Sequence, residues 1–233
     1  MIISVNGIGL NYEETGVGKI MIFLHGNGQD TSMFSEAVRY FEGEYKCVCV
    51  DSRGHGKSEW GCKELTIPML ADDIIAFIEM KGYDDVALIG FSDGGNIALE
   101  VAASSGRVKE VVAVGANLYP KGLTPFILFS ANLTRALCLP FSFIKKVRDT
   151  RRIYRLMTHQ PEITAEKLSK ITAKTLVVAG TKDMIKTDHT KEIASKIPSA
   201  ELKLFENADH FLFEKNSEEL LSVIKEFMEG DGK

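Results

Sequence analysis

Ser92 is the serine in this chain best placed for covalent chemistry. It lies in Gly90-Phe91-Ser92-Asp93-Gly94-Gly95, after the apolar run Val86-Ala87-Leu88-Ile89 and before Asn96-Ile97-Ala98-Leu99-Glu100-Val101-Ala102-Ala103. The first run reads as a buried strand and the second as a helix. A serine on a sharp strand-to-helix turn is lifted out of its sheet, where a base and a substrate can both reach it. Glycines at the G-x-S-x-G spacing relieve crowding around a backbone strained by about 1–3 kcal/mol. A serine hydroxyl is a poor nucleophile without a base. Histidine, whose pKa lies near the working pH, suits that task. A carboxylate must then fix the ring's tautomer, and backbone N–H groups must meet the developing oxyanion. The N–H of Asp93, at the helix start, can point at an oxyanion. The N–H of Asn27, after His25-Gly26 at a strand end, can supply the second donor.

The elements that must hold these groups follow from periodicity. Residues 2–5 and 8–15 form a hairpin about Asn6-Gly7. The run 20–24 is continuously apolar, as a strand buried on both faces requires; 47–50, 108–114 and 175–179 read as further mainly apolar strands, and 201–205 as the last strand. Helical spacing joins Met33, Phe34, Ala37, Val38 and Phe41, and then Ile67, Leu70, Ile74, Phe77 and Ile78, with Asp72, Asp73 and Glu79 left for solvent. Leu220, Leu221, Ile224, Phe227 and Met228 mark a final amphipathic helix. Strands alternating with helices imply an α/β fold, with a doubly wound, mostly parallel sheet of about eight strands flanked by helices. Ligands of such sheets sit at the carboxyl ends of the strands. The chain reads as one domain over 1–233.

One stretch breaks the alternation. After the sixth strand, residues 117–170 contain no clear strand and are cut by Pro120, Pro125 and Pro140. This stretch reads as a helical cap inserted over the strand ends. Phe126 and Phe129 are its candidate pocket residues; Lys145, Lys146, Arg148, Arg151, Arg152 and Arg155 read as its solvated face, with membrane-surface contact the weaker reading. Arg135, Asn132 and the prolines interrupt the apolar run too often for a membrane span.

Composition excludes several other readings. Net charge is -4 and no long basic run appears, so no nucleic-acid partner is expected. Cys47, Cys49, Cys62 and Cys138 match no zinc spacing, and a chain with 45% hydrophobic residues needs no disulfide framework. No metal and no cofactor are expected. The N-terminal residues lack a signal-peptide pattern, so the expected location is cytoplasmic.

Five stretches together resemble the α/β-hydrolase superfamily, of the small, capped, esterase-like type. They are His25-Gly26-Asn27-Gly28, Asp51 to Ser58, Gly90 to Gly95, Gly180-Thr181-Lys182-Asp183 and Asn207-Ala208-Asp209-His210-Phe211. They fall in that family's order across nearly the whole chain. The resemblance implies a triad of Ser92, His210 and Asp183, with each partner just after a strand. Asp188 is a rival acid, but it reads better as a helix-start carboxylate. The remaining histidines are given structural roles: His25 ordering the oxyanion loop, His55 in a tight surface turn, and His159 and His189 on the surface. Asp51 and Arg53 are read as structural. Asp93 departs from the commonest pattern, and its carboxylate would favour a cationic group near the scissile bond unless it merely caps the helix or faces solvent. Asp209 either raises the imidazole pKa or faces solvent. The expected activity is hydrolysis of a small carboxylic ester through an acyl-enzyme on Ser92. The alternatives are a thioesterase, amidase, perhydrolase or carbon–carbon hydrolase on the same scaffold, or a non-catalytic binding or sensor protein.

Overall fold

The apolar runs form one eight-stranded sheet. The computed structural model describes residues 1–230. In chain order it contains β1 (Ile2–Val5), β2 (Ile8–Thr15), β3 (Lys19–Leu24), α1 (Ser35–Phe41), β4 (Tyr45–Val50), α2 (Ile67–Lys81), β5 (Val86–Phe91), α3 (Asp93–Ser104) and β6 (Val108–Val114). There follow α4 (Pro125–Leu137), α5 (Lys145–His159), α6 (Ala165–Leu168), β7 (Lys174–Gly180), α7 (Thr187–Lys196), β8 (Glu201–Phe205), α8 (Leu212–Lys215) and α9 (Ser217–Glu229). The strand order is β1-β2-β4-β3-β5-β6-β7-β8. The pairs β1–β2 and β2–β4 are antiparallel, and every other pair is parallel. The sheet is therefore mixed and mostly parallel, as expected.

Alternation along each strand builds two core layers. Ile22, Leu24, Val48, Leu88, Val111 and Val177 face α2, α3 and α7. Met21, Phe23, Cys47, Ile89, Val112 and Val178 face α1, α8 and α9. Both faces are covered, which is why the central strands carry no polar alternation. The cysteines divide in the same way. Cys47 and Cys49 are buried, and Cys62 and Cys138 half-buried. Burial pushes the Cys47 thiol up to about 12 and the Cys49 thiol higher still.

Helix α2 occupies the span its periodicity predicts. The Thr66 hydroxyl accepts from Met69 N–H, Pro68 lies in the first turn, and Gly82 ends the helix at φ 64°. One expectation on α2 fails. Asp73 is buried, and its carboxylate takes Arg53 Nε and Nη2 at 2.7 Å each and Asn6 Nδ2 at 2.9 Å. This clamp joins the first hairpin turn, the loop after β4 and α2. The insertion after β6 holds α4 and α5, packed on each other. Among the described residues no helix is long and apolar enough to cross a membrane.

Candidate active site

Ser92 follows β5 at φ 54° and ψ -119°, a backbone position that costs a non-glycine residue about 1–3 kcal/mol. The glycines around it let the main chain close up. A Cβ on Gly94 would lie 1.9 Å from the Leu24 carbonyl oxygen, and one on Gly90 would lie 2.2 Å from that of Gly94. Helix α3 can therefore start against the end of β3. Ser92 N–H donates to the Val114 carbonyl at 2.7 Å, which ties the turn to β6.

Asp183 follows β7 and His210 follows β8. His210 Nδ1 and Asp183 Oδ1 are 2.8 Å apart, and both side chains are buried. The same carboxylate oxygen accepts Ile185 N–H at 2.8 Å, so Asp183 is held from two directions. A carboxylate oxygen can only accept, so the ring donates to it through Nδ1–H. Phe91 packs against the ring with centroids 4.9 Å apart. Among the described residues no hydrogen bond joins Ser92 Oγ to the ring, although both residues line one pocket. In unliganded sites of this kind that contact is commonly long. Asp188 lies elsewhere, its side chain 97% exposed and paired with Lys191. Asp209 faces outward, bonds Phe211 N–H and pairs with Lys215, whose hydrogen bond lowers its pKa.

Asn27 and Asp93 line the pocket, and among the described residues neither backbone N–H donates to a protein acceptor. The loop carrying Asn27 is held by its neighbours. His25 Nδ1 bonds the Gly26 carbonyl at 2.8 Å and its Nε2 accepts Ser52 N–H at 3.0 Å. That network needs a neutral ring, and burial lowers the His25 pKa accordingly. Asn27 Nδ2 donates to the Ile153 carbonyl of α5 at 3.0 Å, linking this loop to the insertion.

Several sequence expectations change here. His55 is buried rather than in a surface turn; it lies against the Arg53 carbonyl and Asn27 Oδ1, with its pKa pushed down to about 4 by burial. His189 is also buried, and its Nε2 accepts Leu118 N–H at 2.8 Å, pinning the start of the insertion to α7. Asp93 is neither solvated nor a helix cap. Its Oδ1 accepts Asn96 Nδ2 at 3.1 Å, while Oδ2 is buried without a partner. Burial, partly offset by that hydrogen bond, pushes its pKa up to about 6. Phe126 and Phe129 do not line the pocket: they are 76% and 66% exposed, on another face of α4.

The cavity at Ser92 measures about 530 Å³. Its apolar wall comes from Ile127, Ala131, Ile153 and Met157 of the insertion and Met184 and Ile185 after β7. Asn117 and Gln160 add polar groups. Asn96, which bonds both Asp93 and Asn117, was missed in the sequence. Its one signal is its place a turn along the helix from Asp93. Among the described residues no three His, Cys, Asp or Glu side chains gather as a metal site.

A family model described as "alpha/beta hydrolase fold" matches residues 19–149. The chain belongs to the α/β-hydrolase fold family. It is 28% identical over 250 residues to the AB hydrolase superfamily protein YisY of Bacillus subtilis, covering 92% of this chain and 93% of that one. It is 25% identical over 220 residues to 3-oxoadipate enol-lactonase 2 of Acinetobacter baylyi, covering 79% and 80%. Among solved structures, the esterase of Exiguobacterium antarcticum superposes with a TM-score of 0.82 at 22% identity, over 98% of each chain.

Proposed function

We propose that this protein is a serine hydrolase that cleaves a small carboxylic ester, open-chain or cyclic, through an acyl-enzyme on Ser92. The observation that carries the reading is the buried His210–Asp183 pair at 2.8 Å, facing the same pocket as the strained Ser92 turn. An esterase and an enol-lactonase among the similar proteins support it. Ser92 Oγ attacks the ester carbonyl while His210 Nε2 takes its proton. Asp183 keeps the ring oriented and stabilises the imidazolium. The N–H groups of Asn27 and Asp93 hold the oxyanion. His210 then returns the proton to the departing alcohol oxygen, and water hydrolyses the acyl-enzyme by the same steps. The apolar wall of the cavity takes a hydrophobic acyl or alcohol group. The unpartnered Oδ2 of Asp93 favours a substrate that brings a cation or a hydrogen-bond donor near the scissile bond.

A fluorophosphonate probe tests the reading. It is expected to label the protein, and labelling is expected to vanish in Ser92→Ala. Absence of labelling, together with no turnover across esters varying in acyl length, alcohol size and charge, overturns it in favour of a binding protein. Equal kcat/KM for amino-acid esters and simple acyl esters, unchanged in Asp93→Asn, removes the role given to Asp93.

A further inference from the structure

Among the described residues, half of the exposed large hydrophobic side chains fall within 19 residues of the insertion. They are Phe126, Phe129, Leu133 and Leu137 of α4, and Leu139, Phe141, Phe143 and Ile144 of the bend that leads into α5. The first four recur at three- and four-residue steps and form one stripe along the helix. On a helical projection the centre of that stripe lies about 135° from the midpoint of the pocket-lining Ile127 and Ala131. The apolar surface is thus beside the roof of the cavity and not in its lining. Monomeric proteins rarely expose a contiguous apolar surface of this kind without a binding role.

Charge identifies the partner. Residues 117–159 carry eight Lys and Arg side chains against one carboxylate, Asp149, in a chain whose net charge is -4. Asp149 pairs with Lys145, Arg148 and Arg152, and Arg155 pairs with Glu64. Among the described residues Lys121, Arg135, Lys146 and Arg151 have no acidic partner within ion-pair distance, and Lys146 directly follows the apolar bend at the start of α5. A second copy docking through this face would set cation against cation. A surface that is apolar at its centre and anionic around it satisfies both features.

We infer that the outer face of the insertion docks on an anionic phospholipid bilayer. Phe143, Leu137 and their neighbours enter the headgroup boundary, and Lys146 and Arg151 meet lipid phosphates. The protein lies on the bilayer and does not span it. Docking holds the cavity beside the apolar phase, from which a hydrophobic ester can be drawn. The docking itself does not depend on the reaction at Ser92.

Vesicle flotation of the full chain tests this, with phosphatidylcholine alone and with phosphatidylcholine containing about a third phosphatidylglycerol. The protein is expected to float with the anionic vesicles at low salt and to be released as salt rises. Leu137→Ser with Phe143→Ser is expected to lower the bound fraction about tenfold, and Lys146→Glu with Arg151→Glu to do so equally. Thermal melting of each variant checks that it remains folded, whether or not any ester is turned over. Failure to float with anionic vesicles overturns the inference, as does equal, salt-independent flotation with both kinds. A dimer in sedimentation that Phe143→Ser converts to monomer overturns it too, and assigns the face to self-association.

Discussion

Asp183 and Asp188 are five positions apart in sequence and differ entirely in setting. Asp183 is fixed by His210 and Ile185, whereas Asp188 is in solvent. Asp183→Asn is expected to keep the fold and lower kcat by about four orders of magnitude, because an amide selects the wrong imidazole tautomer. Asp188→Asn is expected to leave kcat within about twofold; steady-state kinetics on one ester checks both. Asp93 gives a pH signature. Its folded pKa is raised from 3.8 to about 6, so between those values the folded protein holds a proton that the unfolded chain has released. Stability therefore falls as pH rises through that window, by at most about 3 kcal/mol. Asp93→Asn is expected to melt higher than the parent protein near about pH 7.5, with the gap closing towards about pH 4. A gap that does not vary with pH contradicts this assignment.

At the scale of elements, the site depends on how strand ends approach one another. Gly115 follows β6 at φ 63°, and a Cβ there would lie 2.7 Å from His210 Cε1. Gly115→Ala is expected to shift the ring and cost about 100-fold in kcat, with far-ultraviolet circular dichroism unchanged. The Arg53–Asp73 clamp joins three elements, with side chains 6% and 2% exposed. Asp73→Ala strands a buried guanidinium and is expected to cost about 3–5 kcal/mol in urea unfolding. That clamp also shows why part of the fold was illegible in the sequence. Asp73 flanks the apolar stripe of α2, and nothing local indicates that an arginine 20 residues earlier reaches it. His55 and His189 were misread for the same reason, since their partners lie on other segments. The strands were readable because burial on both faces forces continuous apolar runs.

At the scale of the molecule, the sequence carried the sheet, its mostly parallel character and the place of the insertion. It also carried the meeting of 90–95, 180–183 and 207–211, because the carboxyl ends of parallel strands lie along one edge. It did not carry the orientation of α4. That helix is apolar on more than one face, so periodicity could not separate Ile127 and Ala131, which line the cavity, from Phe126 and Phe129, which do not. The four cysteines have a practical consequence. Alkylation proceeds through the thiolate, which burial denies to Cys47 and Cys49. Cys62, in the loop after β4, and Cys138, between Leu137 and Leu139, remain partly accessible. The natural chain thus accepts a polarity-sensitive fluorophore on the rim of the apolar surface, and one Cys62→Ser change makes that label unique. Its emission would report, in real time and without a substrate, whether the insertion has left water.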